Sequence, residues 1–154
     1  MREPADHFYL RVALLASTRG TCVRRRVGAV AVDNRGYEQA IAWNGVPPKF
    51  QHCSEGHECS GARSPSGTDL DGCLATHAEA NLLKKCADVW AIKTVYLTVS
   101  PCFNCTKELL GTSCERLVFL EEYTHPRARE IWMQAGRSWE IVELPPDLNN
   151  GSFY

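Results

Sequence analysis

Apolar residues recur at Phe8, Val12, Leu15 and Ala16 in PADHFYLRVALLASTR, a spacing that lays one stripe along a helix, with Pro4 suited to its first turn. Two short runs follow, VGAVAVD and YEQAIAW, which read as strands joined by the turn-forming Asn34-Arg35-Gly36. A polar stretch over 44–73, rich in Gly, Ser, Pro, Cys and His, then interrupts the pattern. A loop that long inside a compact domain is functional or tied down. Beyond it the periodicity alternates again. It predicts a helix near 76–87, a strand TVYLTV at 94–99, a helix near 103–110 and a strand RLVFLE at 116–121. A helix near 126–135, a strand WEIVEL at 139–144 and an irregular tail over 145–154 complete the expectation. There is no internal repeat or domain boundary. The pattern is that of a single α/β domain over 1–154, a sheet covered by helices on both faces.

Composition narrows the partners. The chain has 154 residues, 44% hydrophobic and 23% charged, enough for one buried core. Its formal net charge is -1 and its one compact basic run is Arg24-Arg25-Arg26. A long polyphosphate backbone calls for more positive charge, so no stable nucleic-acid partner is expected, whereas a small anionic substrate needs only a few arginines. No apolar run is long enough to span a membrane, and MREPADHF lacks the apolar segment of a signal peptide. The expected location is the cytoplasm, with no membrane partner. Eight cysteines, at 22, 53, 59, 73, 86, 102, 105 and 114, therefore suggest metal or catalytic roles more than disulfides. Cys86 and Cys114 also suit small buried residues.

The chemistry concentrates in two segments, THAEANLLKK and SPCFNC. His77 falls in the first turn of one expected helix, and Cys102 and Cys105 in the first turn of the next. The strand between them starts both helices at the same edge of the sheet. Helix N-termini carry unpaired N–H groups and partial positive charge, which favour the thiolate that zinc requires. One His and two Cys leave a fourth tetrahedral position open, as in a catalytic zinc site. Glu79 is displaced about 200° around the helix from His77. At a first turn that still puts its carboxylate beside the metal, where it moves protons without binding zinc. A C-x-x-C pair alone is commonly redox-active or half a structural zinc site. Combined with H-x-E in this order, it is the signature of zinc nucleobase deaminases.

Further segments resemble the deoxycytidylate (dCMP) deaminases of bacteria and phages. TCVRRRVGAVAVD resembles their first strand, IAWNGVP their G-Y-N-G loop, and THAEANLL with LTVSPCFNC their zinc motif. EEYTHPRAREI resembles a D-Y-x-x-H-P segment, and the likeness runs from about residue 8 to 143. The resemblance implies a three-layer α/β/α cytidine-deaminase-like fold with a mixed, roughly five-stranded sheet. It also implies a hydrolase that converts dCMP to dUMP and ammonia with zinc-activated water, supplying dUMP for dTMP synthesis. His77, Cys102 and Cys105 would hold the catalytic Zn2+, and Glu79 would shuttle protons. Asn44 would bind the sugar or simply serve the turn before Gly45. Tyr123 would lie against sugar or phosphate, and Arg24 or Arg25 would take the 5′-phosphate.

In this family the G-Y-N-G loop binds dCTP as activator and dTTP as inhibitor, with Mg2+; here it reads Ala42-Trp43-Asn44-Gly45. Thr124 stands where many bacterial members have a basic residue, which would weaken phosphate binding there or move it to Arg127 or Arg129. Some members hold a structural zinc. Cys22, Cys53 and Cys73 occupy matching places here, with either His57 or Cys59 as the fourth ligand. A homohexamer is implied as well, with Trp90, Trp132 and Trp139 available either to interfaces or to the core. Two rival functions are a deaminase of tRNA or other nucleic-acid bases and a non-enzymatic zinc module. Near-neutral charge opposes the first. Glu79 opposes the second, because a structural zinc has no use for an adjacent carboxylate.

Overall fold

The computed structural model describes residues 2–22, 24–55, 60–65, 68, 73–123 and 126–149. Its elements run α1 (Ala5–Ser17), β1 (Gly28–Asp33), β2 (Glu38–Trp43), α2 (Ala78–Lys85), β3 (Ile92–Val99) and α3 (Phe103–Leu110). β4 (Arg116–Glu121), α4 (Pro126–Gln134), β5 (Ser138–Ile141) and α5 (Pro146–Asn149) follow. The strands form one sheet in the order β2-β1-β3-β4-β5. β1 is antiparallel to both β2 and β3, while β3, β4 and β5 run parallel, so the sheet is mixed as expected.

Side-chain alternation divides the core into two layers. Ala29, Ala31, Val95, Leu97, Leu117 and Phe119 face α2, α3 and α4, and pack with Leu82, Leu109 and Trp132. Their neighbours in sequence, Val30, Val32, Tyr96 and Val118, face the other way and meet Leu10 and Ala13 of α1. A strand buried on both faces reads as a continuous apolar run, which is why β1 shows no polar alternation. α1 lies unusually close to the sheet at one point: a Cβ on Gly28 would sit 1.8 Å from the Ala13 carbonyl oxygen. Only glycine fits there.

Three expectations are corrected. The last strand ends at Ile141, earlier than 144, and Leu144 turns back into the α1 layer. The tail is not wholly irregular, because Pro146–Asn149 form one helical turn. The 44–73 stretch carries two 3-10 turns, Cys53–Glu55 and Ser60–Arg63. The turn after β1 needs more than its three turn residues. The Asp33 carboxylate accepts from the Arg35 and Tyr37 N–H groups at 2.8 and 3.0 Å, and Gly36 takes φ 85°. Of the three tryptophans offered to interfaces, Trp132 is buried in the core, Trp139 is half-buried and Trp90 is 69% exposed.

A polar network ties α1 to the sheet. The Arg116 guanidinium donates to Asp6 at 3.0 Å and to Glu140 at 2.8 and 2.9 Å, while the Tyr96 hydroxyl donates to Asp6 at 2.6 Å. Arg137 closes the end of α3 by donating to the carbonyls of Leu109, Leu110, Thr112 and Cys114. A cation belongs at that pole of a helix.

Candidate active site

His77 and Cys102 are both N-cap residues, one position before the helical turns expected for them, and Cys105 lies in the first turn of α3. The Cys102 sulfur accepts from the Cys105 N–H at 3.5 Å, serving as the cap that a Ser or Asp oxygen often provides. The His77 Nδ1 is 3.6 Å from the Cys102 sulfur and 3.4 Å from the Cys105 sulfur. Tetrahedral zinc, with bonds of about 2.3 Å to sulfur and 2.0–2.1 Å to nitrogen, places such donors about 3.6 Å apart. The donor set therefore fits the ion. Among the described residues this is the one group of three whose ligand atoms all lie within 4.8 Å.

The electrostatics follow from burial and proximity. Hydrogen bonding from Cys105, aided by His77, brings the Cys102 thiol down to about 4, while the same contact and burial drive the Cys105 thiol upward. The hydrogen bond to Cys102 raises the His77 pKa despite opposing burial. Glu79 is buried, and desolvation pushes its carboxyl above the ordinary range. A carboxyl held so favours carrying a proton over standing as a bare charge.

His77, Glu79 and Cys102 line a cavity of about 360 Å³ whose walls also include Arg24, Arg25, Asn44, Arg63 and Tyr123. The predicted substrate residues thus share one chamber with the metal ligands. Their existing contacts are informative. Arg24 donates to the carbonyls of Pro65 and Thr68, both at 2.8 Å, and so pins the far end of the loop. Arg25 pairs with Glu121 at 2.8 Å. Asn44 acts as a backbone staple: its side chain accepts from Val27 N–H at 2.9 Å and donates to the Arg25 carbonyl at 2.7 Å. Tyr123 donates its N–H to Ser100 Oγ at 2.6 Å. Arg127 stacks 4.3 Å over Phe103, and Arg129 lies 3.9 Å from Glu122.

Of the cysteines matched to a second metal, Cys22 and Cys53 are buried and Cys73 is half-buried. Cys22 and Cys73 line the same chamber as His77. His57, Cys59 and Thr124 lie outside the described residues. Trp43, Asn44 and Gly45 form a pinned segment. Gly45 pairs with Thr76 through hydrogen bonds of 3.1 and 2.8 Å, and Lys85 and Arg19 lie 4.3 and 5.1 Å from the Trp43 ring. Sequence reasoning missed Arg63 and Ser100 as chamber residues. Arg63 sits in a polar loop without periodic signal, and nothing in its spacing announces it. Among the described residues no helix is long and apolar enough to cross a membrane.

Comparison with known proteins agrees with this geometry. Residues 3–121 match the model of the cytidine and deoxycytidylate deaminase zinc-binding region. A deoxycytidylate deaminase of Mycobacterium phage D29 is 33% identical over 126 residues, 79% of this chain and 98% of that protein. A deoxycytidylate deaminase of Schizosaccharomyces pombe is 31% identical over 95% of this chain, which spans only 46% of that protein's length. The crystal structure of dCMP deaminase from cyanophage S-TIM5, in complex with dCMP and dUMP, superposes with a TM-score of 0.72 at 26% identity. That superposition covers 92% of this chain and 99% of the cyanophage chain. With ligand spacing, fold and sequence in agreement, the chain belongs to the cytidine and deoxycytidylate deaminase zinc-binding family.

Proposed function

We propose that this protein is a zinc-dependent hydrolase that deaminates dCMP to dUMP and ammonia, supplying dUMP for thymidylate synthesis. One observation carries the reading: a His-Cys-Cys group with zinc spacing and the buried Glu79 share a chamber with three arginines. The chamber suits a ligand with a reacting base at one place and an anion at another. Of the three guanidinium groups, Arg25 is partly neutralised by Glu121, and Arg24 spends donors on the loop. Arg63 joins them as a candidate for the 5′-phosphate. Tyr123 and Asn44 flank the sugar.

His77, Cys102 and Cys105 hold the zinc, which when bound supplies Lewis-acid activation of water near neutral pH. Glu79 accepts a proton from water and delivers it to cytosine N3 as oxygen adds to C4. Glu79 then takes the proton of the new C4 hydroxyl and passes it to N4, so that the C4–N4 bond breaks, the C4 carbonyl forms and ammonia leaves. A raised carboxyl pKa suits this alternation between acid and base.

The same reading extends to regulation and assembly. dCTP with Mg2+ activates and dTTP inhibits at Trp43-Asn44-Gly45, in a homohexamer. Cys22, Cys53 and Cys73, with His57 or Cys59, hold a second, structural zinc. Metal analysis then returns two zinc per chain, and a value of one removes the structural site. The direct test of activity follows the loss of cytosine ultraviolet absorbance with dCMP and deoxycytidine in parallel, each with and without dCTP·Mg2+. Rapid loss with dCMP alone supports the reading. No loss with either substrate, in protein shown to contain zinc, rejects it.

A further inference from the structure

β2 is an edge strand, and α2 is stitched along it by side chains. Asn81 Nδ2 donates to the Trp43 carbonyl at 2.9 Å, and one turn later Lys85 Nζ donates to the Ile41 carbonyl at 2.9 Å. Beyond the helix, the Asp88 N–H donates to the Gln39 side chain at 3.3 Å. Edge-strand carbonyls need partners, and here α2 and the turn after it supply some of them.

The first of these stitches differs from the others in its location. Asn81 Nδ2 also lies 3.5 Å from the Thr76 carbonyl oxygen, which accepts from the Gly45 N–H at 3.1 Å. Asn81 therefore bridges the end of β2 and the residue immediately before His77. Its own N–H closes the first helical bond, onto the His77 carbonyl at 3.1 Å.

The apolar part of the helix interface lacks that precision. Ala78 and Leu82 are fully buried and hold α2 on the sheet, but apolar contact is non-directional and leaves a helix able to slide or roll. His77 must meet two thiols that arrive on another helix, α3. Productive metal geometry tolerates about 0.5 Å of error. A directional hydrogen bond at the start of α2 supplies what packing does not.

We propose that Asn81 is a positioning residue that sets His77 and Glu79 against Cys102 and Cys105 by locking the start of α2 to the end of β2. The inference rests on the zinc-deaminase reading of the site. Asn81 touches neither metal nor substrate; it acts through Thr76 and the first turn of α2.

The test compares wild type with Asn81→Asp, which keeps the volume and removes the donor, and Asn81→Leu, which keeps the branched outline and removes all polarity. Lys85→Met, which loses the stitch one turn further on, is the stability control. Zinc release to a chromogenic chelator and steady-state dCMP kinetics are measured on zinc-loaded protein, with a thermal melt for each variant. Outer supports of metal ligands commonly matter by 10–100-fold. Both Asn81 variants are expected to release zinc about tenfold faster and to lose about 10–100-fold in kcat, with the loss in kcat exceeding any change in KM. Lys85→Met is expected to lower the Tm while retaining zinc as wild type does. Wild-type zinc retention and kcat in both Asn81 variants would overturn the proposal, as would losses matching those of Lys85→Met at equal Tm. An inactive wild type that retains zinc would instead overturn the deaminase reading, while the zinc-release comparison still judges Asn81.

Discussion

Two polar clusters among the described residues use charge in opposite ways. Around Arg116, the cation meets Asp6 and Glu140 at 2.8–3.4 Å, and Tyr96 and Ser138 add hydroxyl donors. Both carboxylates share the Arg116 cation and accept hydroxyl hydrogen bonds, so the cluster is finished without a ligand. Around His77, the contacts run through two sulfurs at 3.4 and 3.6 Å, and a carboxyl is buried where desolvation raises its pKa. In that cluster desolvation outweighs what His77 and Cys105 offer the Glu79 carboxyl. The first arrangement holds elements together, whereas the second is ready for an ion and for proton transfer. The distinction is one of completeness, since both contain acid, base and hydrogen bonds.

The sharpest way to break this contrast is at Glu79. Glu79→Gln keeps the shape and removes the proton carrier, so turnover of dCMP should fall by about 10³–10⁴-fold with zinc retained by elemental analysis. The same change should raise the Tm of chelator-treated protein, because a buried carboxyl whose ionisation desolvation opposes is replaced by a neutral amide. A fall in Tm would place Glu79 with the finished cluster. Cys102→Ala should remove the catalytic zinc, and unchanged zinc stoichiometry would refute its role as ligand.

Arginines sharpen the comparison at the next level. Arg63→Gln removes a chamber guanidinium and should lower the kcat/KM ratio of dCMP over deoxycytidine by about 10–100-fold, read from parallel kinetics. A preserved ratio would return phosphate recognition to Arg24 and Arg25. Arg116→Gln should leave that ratio alone and cost about 2 kcal/mol of stability by denaturant melt.

The stability effect at Arg116 carries a pH signature. Glu140 is held below its ordinary value of 4.5, first by the hydrogen bond from Arg116. A lowered folded-state pKa gives stability that is present above the unfolded value and lost as pH falls through the folded one. The gap between wild type and Arg116→Gln should therefore narrow below about pH 4.5. For Asp6, burial raises the carboxyl pKa, but hydrogen bonds from Arg116 and Tyr96 more than reverse it, so it acts in the same direction. A gap independent of pH would show that Arg116 works by packing. The smallest effect is expected at Trp90, which is 69% exposed. Trp90→Gln should change stability by no more than about 0.5 kcal/mol. A drop in oligomer mass by sedimentation would instead place Trp90 at a subunit interface.

What could be read in the chain tracks how local each interaction is. His77 and Glu79 lie two residues apart and Cys102 and Cys105 three apart, so helix geometry alone brings each pair to a helix start. The strands followed from apolar runs, and β4 was placed to the residue. The Arg116–Asp6 pair spans 110 positions and Asn81–Trp43 spans 38, and no local pattern encodes either. Asn44 shows a further limit. Its type suggested a sugar contact or a turn, and nothing local announced that both ends of its amide also bind the backbone of 25–27. The end of β5 was overestimated because Val142 and Leu144 continue the apolar alternation while packing into the α1 layer.

The position of β3 also bears on maturation. His77 precedes this strand and Cys102 follows it, while β3 itself lies between β1 and β4. The three metal donors meet only when the chain through β3 has brought the starts of α2 and α3 together. A chain with β3 misplaced has no three-donor site to load, so zinc content measured after refolding should report correct assembly of these elements.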